Sequence, residues 1–413
     1  MSIRLSCRLK GLLQDKRVAG EWRILISPHN AFGDALFRHH DSFPPMNERR
    51  ETSRCSVCGR ERLVSAALGV CRQCILDNYS AVEPAVFKAH ERARSKFKIP
   101  VRPPSEGAQC ALCVNMCKVA DGEAGYCGIR QGRDGAVVQS TRGAVLRWYY
   151  DKLPTNCVAE FACPSGTGCG NPADSRRGRS DYGQKNLAVF YGACNFSCLF
   201  CQNWHFRRLT KARSPVLLAK QLASKADRKT ACVCYFGGDP APQIEHAIET
   251  SRILREEKDG VRICFETNGS MNRRYMREMA DLSYASGGCI KIDLKTWNTR
   301  LNRALCGTDN RWTLNNFRWL ADYSARREDR GVPLVVASTL MIPGYIEEEE
   351  VTELAGFIAS LDCGIPYSLL AFSPAFQMMD LPGTSEAEAE ACLKAAKAAG
   401  LKRVRLGNAH LVS

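Results

Sequence analysis

The chain has 413 residues, a formal net charge of +15 and 22 cysteines. This length exceeds an average single domain and can bury a core that needs no disulfides to stand. No window approaches about 18 uninterrupted apolar residues, and the N-terminus lacks an apolar stretch followed by a small-residue cleavage site; a spanning helix and a secretory signal are not expected, and the predicted location is the cytoplasm.

Residues 1–50 carry scattered Arg, His and Pro without a sustained period and read as a poorly ordered extension, with translation starting at Met1 or Met46. A zinc-ribbon-like module spans residues 51–104. Its pairs Cys55-Ser-Val-Cys58 and Cys71-Arg-Gln-Cys74 are set so that two knuckles can present four thiolates tetrahedrally. Structural zinc is the preferred occupant; iron shares the same ligand set and spacing does not separate the two. One helical stretch is expected near residues 83–96, before the Pro-rich break at 99–104.

Residues 105–180 form a second cysteine-rich module and linker. Cys110, Cys113, Cys117 and Cys127 offer four more thiols, for an auxiliary [4Fe-4S] cluster or for a second structural metal. Cys157, Cys163 and Cys169 follow in a Gly/Pro-rich loop and read as spare ligands, substrate-side thiols or, preferably, small buried residues. Clusters of this kind in a large chain point to metal ligation under reducing conditions rather than to disulfides. Filled metal sites would lower the formal charge to roughly +10. That surplus permits attraction to an anionic partner such as RNA without requiring one.

From residue 181 onward the texture is α/β. Strand-like runs begin at Leu187, Ala231, Val261, Cys289, Pro333 and Pro366, and RVRLGN lies near the end; amphipathic runs such as APQIEHAIETSRILREEK and SEAEAEACLKAAKAAG separate them. Six strand-then-helix units predict a parallel sheet with right-handed crossovers, a partial (β/α)6 TIM-like barrel behind the cysteine-rich N-terminal region. Cys232, Cys234, Cys264 and Cys289 fall within the strand patterns and read as core.

The run YGACNFSCLFCQNW places Cys194, Cys198 and Cys201 directly after the first barrel strand. Three thiolates can hold three irons of a four-iron cluster and leave the fourth iron open, the feature that separates a reactive centre from a closed structural one. The plainer alternative is a zinc knuckle completed by His205. The next strands end in Gly237-Gly238-Asp239-Pro240, in Glu266-Thr267-Asn268-Gly269 and in Asp293-Leu294-Lys295. Each group alone is an ordinary turn or ion pair, but in a β/α barrel all strand C-termini share one face, so together they predict one pocket.

These motifs resemble the radical S-adenosylmethionine superfamily, within it the proteins around pyruvate formate-lyase activating enzyme, and most closely the AmmeMemoRadiSam-type proteins. The CxxxCxxC loop with Phe200 before its last cysteine is similar to the family's cluster loop, and Gly237-Gly238-Asp239-Pro240 to its motif for the methionyl amine. By the same resemblance Glu266, Thr267, Asn268 and Lys295 match positions lining the cofactor pocket. Ile342-Pro343-Gly344, LCGTDN at 305–310, AFSPAFQMMDLPGTS and RLGNAH extend the likeness to the C-terminus. Ser338-Thr339 and Phe372-Ser373-Pro374 depart from the activase pattern, so adenosine and substrate contacts there do not transfer.

The resemblance implies a [4Fe-4S] cluster and S-adenosylmethionine, a reducing electron donor such as flavodoxin or ferredoxin, and reductive cleavage to a 5′-deoxyadenosyl radical that takes hydrogen from a protein or small-molecule substrate, as in glycyl-radical-enzyme activases. No catalytic side chain beyond the cluster is then required. Two rivals remain: a zinc-ribbon nucleic-acid-binding or RNA-modifying protein using Arg176, Arg177 and Arg179 on phosphate, and a noncatalytic electron carrier.

Overall fold

The computed structural model describes residues 52–155, 157–169, 180–327 and 332–412. The expected N-terminal extension and the basic run at Arg176, Arg177 and Arg179 lie outside the described residues. Among the described residues the main sheet has nine strands: β1 (Ala144–Lys152), β2 (Lys185–Tyr191), β3 (Val216–Leu217), β4 (Thr230–Gly237), β5 (Arg262–Thr267), β6 (Ile290–Asp293), β7 (Val335–Met341), β8 (Tyr367–Ala371) and β9 (Val404–Gly407). Their order is β9-β8-β7-β6-β5-β4-β2-β1-β3. Every pair from β2 through β9 is parallel, whereas β1 runs antiparallel to both β2 and β3.

Short β-rich runs alternate with helix-forming runs, so each crossover carries a helix: α1 (Arg72–Asp77) and α2 (Tyr79–Ser95) precede the sheet, and α3 (Phe206–Ala212), α4 (Ala219–Ala223), α5 (Ile244–Glu257), α6 (Arg273–Ser286), α7 (Thr299–Cys306), α8 (Arg311–Ser324), α9 (Glu348–Leu361) and α10 (Glu386–Ala398) connect its strands. Local chemistry fixes their starts. Asn298 accepts from the backbone N–H of Arg300 and Leu301 at the head of α7, and Ser385 with Glu388 forms a capping box at α10, each cap contributing about 1 kcal/mol.

The RVRLGN run joins the sheet as β9, so the parallel set extends one strand past the six expected. β1, inside the span read as linker, is a finding the sequence did not announce: its residues pair with β2 from Leu146 opposite Tyr191 to Lys152 opposite Lys185. The sheet ends at β3 and β9 without closing, an open barrel.

Side-chain alternation splits each strand between two environments. Val233, Tyr235, Ile263, Phe265, Ile290 and Ile292 pack with the helices in the principal core. The intervening residues, from Cys234 and Cys264 at the base to Glu266 and Asp293 at the top, therefore face inward.

The N-terminal module is fastened to the C-terminal face of this barrel. Tyr345 accepts a hydrogen bond from the Ser65 N–H (3.0 Å) and donates one to the Val70 carbonyl (3.0 Å). Ser65 and Ala66 donate to the Asp380 carboxylate, and the His90 ring meets the Ala304 carbonyl at 3.0 Å.

Candidate active site

The loop after β2 is held from three sides. The N–H groups of Ser197 and Leu199 donate to the carbonyls of Cys306 and Leu305 at the end of α7, and the Leu199 carbonyl accepts from Gln377. Asn195 donates to the Ser270 carbonyl and accepts from the Asn268 side chain at 2.7 Å. Its own carbonyl accepts from Asn115 at 2.7 Å, which ties the second cysteine module to this loop.

Cys194, Cys198 and Cys201 line one cleft together with Gly237, Gly238 and Asp239 from the end of β4. Glu266, Thr267 and Asn268 from β5, and Asp293 and Lys295 from β6, complete its floor and wall. The cleft encloses about 840 Å³ of empty space, part of it open to solvent. Pro240 sits one residue behind this lining, at the head of the turn Ala241–Gln243.

The two glycines are dictated by backbone crowding. A Cβ on Gly238 would lie 2.0 Å from the Ala193 carbonyl oxygen, and one on Gly237 would lie 2.6 Å from the Tyr191 nitrogen, at a φ of +105°. Asp239, buried, is engaged by its own neighbours: it accepts from Thr267 at 3.0 Å and from the N–H groups of Asn268 and Ala241 at 2.8 Å. Burial raises its pKa to about 6. Asp239 thus clamps the β4 and β5 ends together, and Asn268 clamps the cysteine loop onto them.

The expected Asp293–Lys295 pair is a half-buried contact inside the cleft, not a surface bridge. Asp293 also accepts from Ser338 at 3.2 Å, and Asp293 together with the nearby Cys198 thiol holds the Lys295 pKa above its usual value against the opposing effect of burial. Thr339 donates to the Leu294 carbonyl and accepts from Tyr367, so the two residues that depart from the activase pattern serve the barrel wall.

Two residues the sequence reading did not single out belong to this site. Cys306 places its thiol against Cys198, and this hydrogen bond is the main reason the Cys198 pKa falls. Arg207 is 1% exposed, lines the cleft, and has no hydrogen-bond partner on either terminal nitrogen. Its guanidinium lies over the Phe206 and Phe376 rings, 4.5 and 4.3 Å from their centroids, and its charge acts on the Cys201 thiol, lowering its pKa against the larger effect of burial.

The Cys55, Cys58, Cys71 and Cys74 sulfurs meet a different standard. All lie within 4.8 Å of one another, with Cys55–Cys74 at 3.8 Å and Cys58–Cys71 at 4.0 Å. A tetrahedral ion with bonds of about 2.3 Å sets its sulfurs about 3.8 Å apart. The quartet could hold one metal ion, and the Cys55 pKa is lowered to about 6 by hydrogen bonds from neighbouring backbone N–H groups, which outweigh burial.

Among the described residues this is the group with that spacing; neither the Cys194 triad with His205 nor the Cys110, Cys113, Cys117 and Cys127 set shares it. His205 instead stacks on Trp204, centroids 4.0 Å apart. The second quartet gathers in one neighbourhood, where burial raises the pKa of Cys110, Cys113 and Cys117 and the surrounding thiols add to the effect.

Residues 188–358, less than half of the chain, match the family model of the Radical SAM superfamily. The superfamily implies a [4Fe-4S] cluster and S-adenosylmethionine. Three thiols around a cleft, spaced too widely for a single ion and sharing it with the Arg207 guanidinium, fit such a cluster. The uncharacterized protein MJ0808 of Methanocaldococcus jannaschii is 22% identical over 73% of this chain and 81% of its own length. Pyruvate formate-lyase 1-activating enzyme of Escherichia coli is 23% identical over 39% of this chain, which spans 63% of that relative's length. The solved structure of Streptococcus suis SuiB bound to S-adenosylmethionine overlaps 53% of this chain and 49% of its own, at 14% identity and a TM-score of 0.42. No helix among the described residues is long and apolar enough to cross a membrane.

Proposed function

We propose that Cys194, Cys198 and Cys201 carry a [4Fe-4S] cluster with one iron open to S-adenosylmethionine, and that the enzyme abstracts hydrogen from a substrate seated over the barrel mouth. The observation that carries this reading is the cleft itself, in which three thiols, two glycines pressed against β2 and the start of the cysteine loop, and a buried arginine converge. When bound, the cluster and S-adenosylmethionine supply one-electron cleavage of a carbon–sulfur bond and removal of a hydrogen atom from substrate.

The chain's own residues position and enclose. Gly237 and Gly238 let the end of β4 pack directly against β2 and Ala193, beside the cysteine loop, and Asp239 and Asn268 fix that backbone in place. Glu266, Thr267 and Lys295 line the remainder of the cofactor space, and Arg207 balances the charge of the thiolate-held cluster. Phe196, Phe200 and Phe206 wall the cleft with apolar surface that excludes water, which protects a reactive intermediate.

A low-potential donor of the flavodoxin or ferredoxin type would supply the electron. Likeness to an enzyme named for activating pyruvate formate-lyase favours a protein substrate. Cys55, Cys58, Cys71 and Cys74 would hold structural zinc, their spacing matching a single tetrahedral ion.

Anaerobically reconstituted, reduced enzyme should release 5′-deoxyadenosine from S-adenosylmethionine. Cys198→Ala should lose this activity while zinc at the N-terminal quartet is unchanged; persistent cleavage in that variant would overturn the assignment.

A further inference from the structure

A β/α barrel ordinarily fills its interior with bulky branched side chains. At the base of this one, Cys232 and Cys234 on β4, Cys264 on β5 and Cys289 just before β6 line one small cavity with Cys157 and Cys163. Two of these thiols are set as a pair. The Phe265 N–H donates to the Cys289 carbonyl at 3.0 Å, and Phe265 stands opposite Ile290 in the parallel register, so the residues before them, Cys264 and Cys289, are side-by-side neighbours. Adjacent strands run about 4.8 Å apart, inside the range of about 4.4 to 6.8 Å that a disulfide spans between Cα atoms.

The pair is chemically asymmetric. The Cys289 thiol donates to the Cys264 sulfur, and this hydrogen bond is the chief reason the Cys264 pKa falls to about 6; burial opposes it, while the Lys291 and Arg262 charges act with it. At neutral pH Cys264 is therefore mostly thiolate, the form that attacks. Cys289 keeps its proton, its pKa raised by the same hydrogen bond. Burial also keeps Cys157, Cys163, Cys232 and Cys234 protonated. Cys234, the neighbour of Cys264 on its other side, is engaged by Lys291, which donates to its sulfur at 2.9 Å. Access differs in the same sense, since Cys264 is half-buried and Cys289 buried. A reachable thiolate of low pKa beside a protonated partner is the arrangement of a redox-sensing dithiol.

The cavity selects the oxidant by size. Its free volume of about 30 Å³ admits one molecule on the scale of water, so hydrogen peroxide can enter and a bulky disulfide such as oxidised glutathione cannot.

We propose that Cys264 and Cys289 form an oxidant-sensitive dithiol that hydrogen peroxide closes to a disulfide. The Cys264 sulfur attacks one peroxide oxygen, the O–O bond breaks, and the sulfur becomes a sulfenic acid; the hydroxide released recovers the proton the thiol gave up and leaves as water. The Cys289 sulfur then attacks the sulfenic sulfur, and its proton departs with the hydroxyl as a second water. Two electrons pass from the two sulfurs to peroxide, and a dithiol reductant reverses the change. The pair lies beneath the contact of Lys291 with Glu266, which lines the cleft, so the disulfide staples the two strands that lead to Glu266, Asn268, Asp293 and Lys295. This dithiol needs no metal, and its reactivity stands or falls separately from the cluster at the triad.

Anaerobically purified full-length protein can be exposed briefly to hydrogen peroxide, its remaining thiols blocked with N-ethylmaleimide on unfolding, and its peptides mapped by mass spectrometry. A peptide pair linked through Cys264 and Cys289 should accumulate, disappear on reduction with dithiothreitol, and fail to form when oxidised glutathione replaces peroxide. In Cys289→Ser the same exposure should stop at a Cys264 sulfenic acid, captured by dimedone. Cys264 recovered wholly as the blocked thiol, Cys264 linked to Cys234 instead, or equal formation of the bond with oxidised glutathione would overturn the proposal. The map of the unaltered chain decides the matter even where Cys289→Ser misfolds.

Discussion

The N-terminal quartet and the barrel triad are both cysteine clusters, yet their geometry differs in kind. In the quartet the paired sulfurs stand 3.8 and 4.0 Å apart, four donors closing on one point with no face left open. In the triad three sulfurs ring a cleft lined by backbone, carboxylates and a buried guanidinium. A closed donor shell stabilises a fold, whereas an open one is a place for chemistry.

That contrast is broken most forcefully at the quartet. Replacing Cys58 and Cys71 together by serine should abolish zinc binding and unfold the module, since metal-binding energy is folding energy in such knuckles. Elemental analysis should then find zinc gone and triad iron retained; loss of both metals would mean that the two sites are not separable.

Arg207→Met tests the open site from the charge side. Removing hydrogen bonds to a charged guest should weaken S-adenosylmethionine binding or cluster retention by about 10- to 100-fold, read by titration and by iron content, with little change in melting temperature. A large stability loss without a binding change would assign Arg207 to packing alone.

The smallest expected effect concerns the seam between the two regions. Burial lowers the His90 pKa to about 4, partly opposed by the Ala304 carbonyl. Its folded value lies below its unfolded one, so the neutral ring supports folding above about pH 6.5, and that support fades as pH falls toward 4. The loss should be about 1 kcal/mol at pH 5.5. His90→Gln should flatten the stability profile over this window, and an unchanged slope would place the acid sensitivity elsewhere.

The sequence disclosed the barrel because each parallel strand is a compact apolar run followed by a helix, and it disclosed the cleft because the motifs sit just past strand ends. The predicted runs at Leu187, Ala231 and Val261 became β2, β4 and β5 nearly to the residue. β1 escaped, although AVLRWYYDK is rich in strand formers, because its partner β2 lies more than thirty positions along the chain. Arg207 and Cys306 escaped for a similar reason: one sits on α3, the other closes α7, and only the tertiary fold brings them to the triad. The strand cysteines read as core are indeed buried or half-buried, but their shared inward face depends on a register that no local pattern reveals.

The account depends above all on a cluster iron beside Cys194, Cys198 and Cys201 that accepts an outside ligand. Electron paramagnetic resonance of the reduced, reconstituted enzyme, restricted to the component lost in Cys198→Ala, tests this directly. Addition of S-adenosylmethionine should shift the g-values of that component. Superimposable spectra with and without the cofactor would contradict the claim.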